Sequence, residues 1–223
     1  MRHVVIDLEM NKLAKQYKEE RLILGREIIE IGAVVLDERY QEIGSFKTLV
    51  RPQYNDVIEK GITKLTGITT EQVQNVPILE EAIHIFFAWC HGMNDEIVIH
   101  EWSDADLEQL TKEITLKKIR LGEEDMNLLA GWSDFQKEYG EKLHLDNQVS
   151  LKNAVMYAGI DFEGHEHDAL DDARNTAELL KIVRTPSLCE SALQYVIEVL
   201  TPTPTCSATL GDLFNFGALG LSA

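Results

Sequence analysis

The hydrophobic and polar positions of this chain follow the period of a strand in the first fifty residues. The alternation predicts strands at residues 2–8, 27–36 and 43–51, and the proline at position 52 ends the third strand. A short polar link, residues 37–42, joins the second strand to the third and is typical of a hairpin. The chain therefore begins with a group of neighbouring strands.

After residue 60, apolar residues recur mainly at helical spacing. Helices are expected at residues 62–66, 71–73, 78–89, 104–118, 133–142, 150–158, 168–183 and 187–200, with strands at 96–101 and near 127–130. Strands that come first and then alternate with helices indicate an α/β fold, with a mixed five-stranded sheet flanked by helices. We expect one domain at residues 1–185, followed at 186–223 by a helix and a tail that contains Pro and Thr. The tail either docks onto the domain or a partner, or is a loose end.

Composition is typical of a soluble globular protein: of 223 residues, 44% are hydrophobic and 26% charged. The apolar runs are too short to cross a bilayer. Cys90, Cys189 and Cys206 are widely spaced, which favours neither a disulfide framework nor a zinc site and fits a reducing cytosol. We therefore expect a cytoplasmic protein.

The formal net charge of −17 argues against broad non-specific binding of nucleic acid. Two basic stretches nevertheless follow closely on acidic motifs, at residues 12–26 and 112–120. They either line a path for a phosphate backbone or are solvated helix faces, since charge runs alone do not decide between the two.

Acidic residues adjoin strand-like apolar runs in widely separated segments. Asp7 and Glu9 lie in the first strand, where alternation places both on one face and Leu8 in the core. Asp104 and Asp106 follow the fourth strand, and we favour Asp106 as the metal-directed carboxylate and Asp104 as a helix cap or supporting residue. Converging carboxylates favour a divalent ion with oxygen ligands, Mg²⁺ or Mn²⁺, and two such ions are a recurring device for phosphodiester cleavage. The alternative is an edge strand with polar residues facing water.

A third segment contains His167 and Asp172. Asp168 can cap the last helix of the domain, with Asp171 in a capping-box-like position, but capping does not explain Asp172 at the border of the buried helix face. His167 precedes the helix in a loop, from which an imidazole can take a proton from water near neutral pH. An ordinary loop histidine, as we expect His165 to be, is the alternative.

Together these segments resemble the DEDDh family of 3′→5′ exonucleases, which share a ribonuclease H-like fold. The family's Asp-x-Glu motif matches Asp7-Leu8-Glu9, its single Asp after the fourth strand matches Asp106, and its His-x4-Asp motif matches the span from His167 to Asp172. Similar stretches at 27–34, 46–52 and 65–69 extend the resemblance to about residue 184. The nearest branch contains the histone-mRNA 3′-end exonucleases and a bacterial sporulation-inhibitor exonuclease. That branch often has Trp-Gly where this chain has Trp102-Ser103.

The resemblance implies a two-metal site and a hydrolytic reaction. Two Mg²⁺ or Mn²⁺ ions would be held by the four carboxylates, while His167 takes the proton of an attacking water, and nucleoside 5′-monophosphates leave from a 3′ end. The four carboxylates are those of Asp7, Glu9, Asp106 and Asp172. Met10, the turn at Leu65 and Thr66, and Trp102 are expected to pack against the terminal nucleotide, with a core position as the alternative for Trp102.

Three functions are compatible with these residues. The leading one is a metal-dependent 3′→5′ exonuclease on the 3′ end of single-stranded RNA or short oligonucleotides. A DNA proofreading or repair exonuclease is the second, because the metal chemistry does not depend on the 2′-hydroxyl. The third is a non-catalytic module that binds nucleic acid or protein. A homodimer or a protein partner bound through the tail is a further expectation.

Overall fold

The computed structural model describes residues 1–145 and 147–200. The strands are β1 (Arg2–Lys12), β2 (Arg26–Leu36), β3 (Glu42–Leu49), β4 (Ile97–Glu101) and β5 (Ser133–Asp134). The helices are α1 (Glu20–Ile23), α2 (Lys60–Thr66), α3 (Thr70–Val73), α4 (Leu79–His91), α5 (Ala105–Lys117), α6 (Glu123–Ala130), α7 (Phe135–Lys142), α8 (Leu151–Tyr157), α9 (Ala169–Arg184) and α10 (Pro186–Leu200).

One sheet organises the domain, with the strand order β3-β2-β1-β4-β5. The central strand β1 pairs antiparallel with β2 and parallel with β4, while β3 is antiparallel to β2 and β5 is parallel to β4. A bulge between Glu9 and Met10 shifts the register of β1 near its end. A mixed five-stranded sheet flanked by helices confirms the predicted fold class.

Alternation along β1 divides the core into two layers. Val4, Ile6 and Leu8 pack into a layer that includes Phe86 of α4, while Val5 packs on the opposite face with residues of α7, α8 and α9. Burying one such aliphatic side chain stabilises the fold by about 1.5–3 kcal/mol. The odd-numbered positions of β1 therefore face α9.

The predicted strand near residues 127–130 is wrong, because this segment is the end of helix α6. The acidic first turn of α6 begins at Glu123, and the Asp125 carboxylate accepts a hydrogen bond from the Gly122 N–H at 3.4 Å. Leu129 faces the first core layer from this helix. The apolar residues of this segment follow helical spacing rather than strand alternation, and this accounts for the burial of Leu129.

Strand β5 begins six residues after the start of the strand predicted near 127–130. Its two residues, 133 and 134, are the first two of the helix predicted at 133–142. The Asp134 side chain accepts a hydrogen bond from the Lys137 N–H at 3.3 Å, so that α7 begins after it, at Phe135. A two-residue strand is too short for alternation to reveal. The short helix α1 was also not predicted from the sequence.

A close contact between helix α9 and strand β2 fixes the position of the helix. Gly32 pairs with Asp7 across β1 and β2, and a Cβ atom on Gly32 would lie 2.2 Å from the backbone of both Ala169 and Leu170. Only glycine allows this approach. The N-terminal turns of α9 are therefore held directly over Asp7 and its neighbours.

The C-terminal part of the chain is described only in part. Helix α10 confirms the helix predicted at 187–200, and the Pro/Thr-containing tail predicted beyond it lies outside the described residues. Among residues 1–145 and 147–200, no helix combines the length and apolar character needed to cross a membrane.

Candidate functional site

Four carboxylates predicted from separate segments converge on one side of the sheet. Asp7 and Glu9 come from β1, Asp106 from the first turn of α5, and Asp172 from the first turn of α9. Burial and then the charges of Asp106, Asp172 and Glu9 raise the pKa of Asp7 well above its ordinary value. Charged carboxylates raise one another's pKa in this way only at short range. The fold therefore brings the four predicted acids together.

The electrostatic environment of these acids is unfavourable for their charged forms. Burial, followed by the charges of Asp172, Glu30 and Asp106, raises the pKa of Glu9 to about 9. Burial is also the first cause that raises the pKa of Asp172 to about 7, and it raises the pKa of Asp106 strongly. A cation between the carboxylates would reverse this, because it favours their ionised forms.

His167 lies beside Glu9 at the start of α9. Its Nδ1 atom is 3.8 Å from Glu9 Oε1, and its backbone N–H donates to Asp172 Oδ2 at 3.1 Å. One possible ligand atom each from Glu9, His167 and Asp172 lies within 4.8 Å of the others, a spacing that could hold a metal ion. The imidazole is 45% exposed and could also exchange a proton with water.

The loop that carries His167 is fixed by backbone contacts. Asn175, buried in α9, accepts a hydrogen bond from the Glu163 N–H at 3.0 Å and donates to the Glu163 carbonyl at 2.8 Å. Asp171 was predicted to complete a capping box with Asp168, but its carboxylate instead accepts from the His165 N–H at 3.0 Å. This bond ties Asp171 to the loop rather than to the cap.

Asp168 is the N-cap of α9, as predicted, and accepts from the Leu170 and Asp171 N–H groups at 3.1 and 3.3 Å. His167 is itself in the left-handed region, with φ = 68°, where a side chain other than that of glycine is uncommon. Such backbone strain often accompanies functional positions.

The structure separates the roles of Asp104 and Asp106. Asp106 is buried, with 8% of its surface exposed, and faces the cluster, whereas Asp104 is exposed and lies 3.6 Å from Lys137 Nζ. Asp104 occupies the predicted N-cap position of α5, but its side chain makes no capping hydrogen bond. The buried Glu101 carboxylate instead accepts from the Leu107 N–H at 2.7 Å.

Sequence reasoning missed Glu30, which supports the site from β2. It is paired with Glu9 across the sheet, and its carboxylate accepts from the Ala169 N–H at 3.1 Å. Lys47 Nζ lies 3.3 Å from Glu30 Oε1 and 2.5 Å from Asp168 Oδ2. These bonds fasten the start of α9 to the sheet. The available signal was an acidic residue inside the apolar run Ile29-Glu30-Ile31.

The predicted substrate contacts have different environments. Met10 lies partly buried against the first core layer, and Leu65 is 49% exposed at the end of α2. The Thr66 hydroxyl donates to the Ile62 carbonyl and accepts from the Ile68 N–H, both at 3.0 Å. Of the set, Leu65 has the most free surface.

Trp102 belongs to the core, the alternative considered from the sequence. It is buried against Phe135 and Tyr139, and its indole N–H donates to the Val149 carbonyl at 3.3 Å. This burial leaves little of the ring for stacking on a nucleotide.

One residue of the basic stretch 112–120 has a structural role inside the protein. Lys117 is buried, 2.6 Å from Glu113 and 3.3 Å from Glu27, whereas Lys112, Lys118 and Arg120 are exposed. Glu27 in turn accepts the N–H groups of Gln53, Tyr54 and Asn55 and thereby fixes the loop after β3. The other stretch, residues 12–26, lies largely exposed between β1 and β2.

Comparisons with known sequences agree with this arrangement. A family model described as Exonuclease (RNase_T) matches residues 4–180. ERI1 exoribonuclease 2 of Danio rerio is 32% identical over 187 residues, covering 74% of this chain and 33% of that protein. DNA polymerase III PolC-type of Caldanaerobacter subterraneus is 30% identical over 200 residues, covering 88% of this chain and 12% of that protein. The chain thus spans a third or less of the length of these relatives.

Solved structures show the same fold. The nuclease domain of 3'hExo, described as a DEDDh family member bound to rAMP, superposes with a TM-score of 0.70 at 23% identity and covers 83% of this chain and 92% of that domain. Exonuclease I of E. coli in complex with a dT13 oligonucleotide has a TM-score of 0.58 at 17% identity, and the match covers 85% of this chain and 43% of that chain. These similarities confirm the predicted ribonuclease H-like fold.

Proposed function

This chain belongs to the RNase_T family of exonucleases, and we propose that it is a 3′→5′ exonuclease acting on single-stranded RNA or short oligonucleotides. The observation that carries the proposal is the geometry of the site. Ligand atoms of Glu9, His167 and Asp172 lie within 4.8 Å of one another, Asp7 is on the same face of β1 as Glu9, and Asp106 is buried in the first turn of α5. The products would be nucleoside 5′-monophosphates.

The four carboxylates fit divalent ions of the hard, oxygen-binding kind. Burial and the charges of neighbouring acids raise the pKa values of Asp7, Glu9 and Asp172, and a divalent cation with oxygen ligands would offset that charge. We propose Mg²⁺ or Mn²⁺ as the ions and the four carboxylates as their ligands. When bound, such ions lower the pKa of water and stabilise charge on the phosphate and on the leaving oxygen.

The residues of the chain have distinct parts in this reaction. His167, with a partly exposed imidazole next to Glu9, would take the proton of the attacking water. The Asp168–Lys47–Glu30 contacts hold the start of α9, and therefore His167 and Asp172, at a fixed distance from β1. Leu65, Thr66 and Met10 would contact the terminal nucleotide.

RNA is the substrate that we favour. The exoribonuclease relatives support it, because they match this chain at up to 32% identity, and the PolC-type relatives support the DNA alternative at 30%. The carboxylates and His167 do not distinguish the two sugars, since none of this chemistry requires a 2′-hydroxyl.

A time course on 5′-labelled RNA and DNA of one sequence tests the proposal. The reaction would be run with Mg²⁺, Mn²⁺ or EDTA, with Asp7→Asn as the inactive control and Glu141→Gln, at an exposed acid on α7, as the matched one. We expect the RNA to shorten from its 3′ end, faster than the DNA, and only with metal and an intact Asp7. Intact RNA and DNA under every metal condition would refute the nuclease function and favour a binding module.

The cellular setting is also a proposal. Cys90 and Cys189 are free thiols, which is compatible with a reducing cytoplasm. A homodimer, or a partner bound through the tail, would be tested by the mass of the full chain in solution.

A further inference from the structure

The segment between β1 and β2, residues 13–25, is held firmly at both of its ends. Leu13 and Leu24 are buried, and the Leu13 N–H donates to the Gly25 carbonyl at 3.2 Å. Gln109 of α5 donates to the Arg26 carbonyl at 2.9 Å. The course of the segment is therefore defined by these contacts.

The outer surface of this segment carries apolar and basic side chains, with Glu19 also exposed among them. Leu22 is 87% exposed, the most exposed of the large apolar side chains in the described part of the chain, and Ile23 is 54% exposed. Lys15, Lys18 and Arg21 are also exposed. Among the described residues, none of these three forms an ion pair, whereas the neighbouring Lys12 lies 3.3 Å from Glu59. We call these five exposed residues, Lys15, Lys18, Arg21, Leu22 and Ile23, the outer face.

One residue of the outer face, Ile23, lines a cleft that approaches the carboxylate cluster. This cleft of about 220 Å³ lies between the segment and α5, and its lining includes Met10, Ile23, Ala105 and the ion pair of Lys112 with Glu108, 2.6 Å apart. Met10 directly follows Glu9, and Ala105 directly precedes Asp106. A chain that leaves the carboxylates on this side would pass along the cleft and reach the outer face.

We propose that the outer face binds the nucleotides on the 5′ side of the residue being removed, with Lys18 and Arg21 at phosphates and Leu22 against a base. Charge supports this occupant. Lys15, Lys18 and Arg21 form no ion pair among the described residues, and such a basic cluster attracts a polyanion locally in a chain of net charge −17. An exposed apolar side chain suits an unpaired base, which presents an apolar face. The inference rests on the proposed exonuclease function.

The test compares substrates of different length. Two variants would be assayed on a dinucleotide and on a long oligoadenylate. One is the double charge reversal Lys18→Glu with Arg21→Glu, and the other is the truncation Leu22→Ala. The outer face contributes only where the substrate reaches it. We therefore expect the kcat/KM of the long substrate, relative to that of the dinucleotide, to fall about tenfold or more for the double variant. Its salt dependence should weaken by a slope of about 0.7 for each lost phosphate contact.

Matched controls are Arg39→Glu and Ile85→Ala. Arg39 lies in the β2–β3 turn, at the end of the sheet away from Glu9, and Ile85 is 49% exposed on α4. Both controls should keep the wild-type ratio between the two substrates. The same ratio in the Lys18/Arg21 and Leu22 variants would overturn the proposal and leave the outer face for a protein partner.

A binding measurement keeps the two proposals separable. Fluorescence anisotropy of a labelled oligoadenylate would be followed with the wild-type protein and the double variant in Ca²⁺. If the wild-type protein cleaves nothing, the exonuclease function fails, yet weaker binding by the double variant would still support the outer face as a nucleic-acid surface. Equal affinity of both proteins for the oligoadenylate would refute it.

Discussion

Replacing Glu9 by glutamine should remove activity and at the same time stabilise the metal-free protein. Burial and the charges of neighbouring acids raise the pKa of Glu9 to about 9, from an ordinary value of 4.5. The folded state therefore holds this proton more tightly than the unfolded chain does. The contribution of this proton to the free energy of unfolding is complete at a pH below the pKa of Glu9 in the unfolded chain. It is lost as the pH rises towards 9.

The size of the effect follows from this difference in pKa. Between the unfolded value of 4.5 and neutral pH, each pH unit costs about 1.4 kcal/mol, so the wild-type protein loses about 3 kcal/mol by pH 7. Glutamine cannot ionise, so the Glu9→Gln variant does not lose this part of the free energy of unfolding. For a domain of this size, about 3 kcal/mol corresponds to a rise in Tm of about 6–12 °C, an upper value because the neighbouring carboxylates share the repulsion.

The assay is thermal unfolding in EDTA near pH 5 and near pH 7, followed by a titration with Mn²⁺. Glu9→Gln should melt above the wild-type protein in EDTA near pH 7 and close to it near pH 5, whereas Mn²⁺ should raise the Tm of the wild-type protein more. Glu141→Gln, on the exposed side of α7, should behave as wild type. A variant that melts no higher than wild type in EDTA near pH 7, or an equal Mn²⁺ shift in both, would refute the reasoning.

Substitutions at three further positions test how the site is held and whether His167 takes part in proton transfer. Gly32→Ala would place a Cβ 2.2 Å from the Ala169 backbone and should lower the free energy of unfolding in urea by about 1–3 kcal/mol; an unchanged midpoint would contradict this. Glu101→Ala leaves the Leu107 N–H without its 2.7 Å acceptor and should cost about 1–3 kcal/mol in thermal unfolding, while Glu101→Gln keeps an acceptor and most of the stability. Equal losses in both Glu101 variants would show that the charge, not the hydrogen bond, is what matters. His167→Gly allows the left-handed backbone, so it should fold like wild type and lower kcat by about 10²–10⁴; a kcat near wild type would remove His167 from proton transfer.

Most of the fold could be predicted because its elements are long and periodic. β1, β2, α4 and α9 each repeat their apolar pattern over many residues, and the structure confirms all four. β5 could not be predicted, because two residues carry no alternation and the pairing comes from β4. The short apolar run at 127–130 fits either period, so the sequence predicts a strand where the structure has the end of helix α6.

The acidic residues of the candidate site could be predicted, because packing of the core does not require a charged side chain at these positions. Asp7, Glu9, Asp106 and Asp172 stood out because each acid adjoins an apolar run. The residues that hold them in place did not stand out, since their partners are distant in sequence. Glu30, for example, binds the N–H of Ala169, 139 positions away.

Buried charge was equally hard to foresee. The sequence 112–120 has the composition of a solvated basic surface, yet Lys117 lies inside, between Glu113 and Glu27. Glu113 is one helical turn away from Lys117, whereas Glu27 is 90 residues away, and this second contact depends on how α5 packs against β2. Such pairings arise from tertiary packing and have no signature in local sequence.

The chemical identity of the products tests the central claim most directly. Single-stranded RNA with a free 3′-hydroxyl would be digested with Mn²⁺ in water enriched in heavy oxygen, and the released nucleotides would be analysed by mass spectrometry. Attack of water on the phosphorus predicts nucleoside 5′-monophosphates that carry one heavy oxygen atom each, and no release with EDTA or with Asp7→Asn. Nucleoside 3′-phosphates, or equal release with EDTA, would contradict the account.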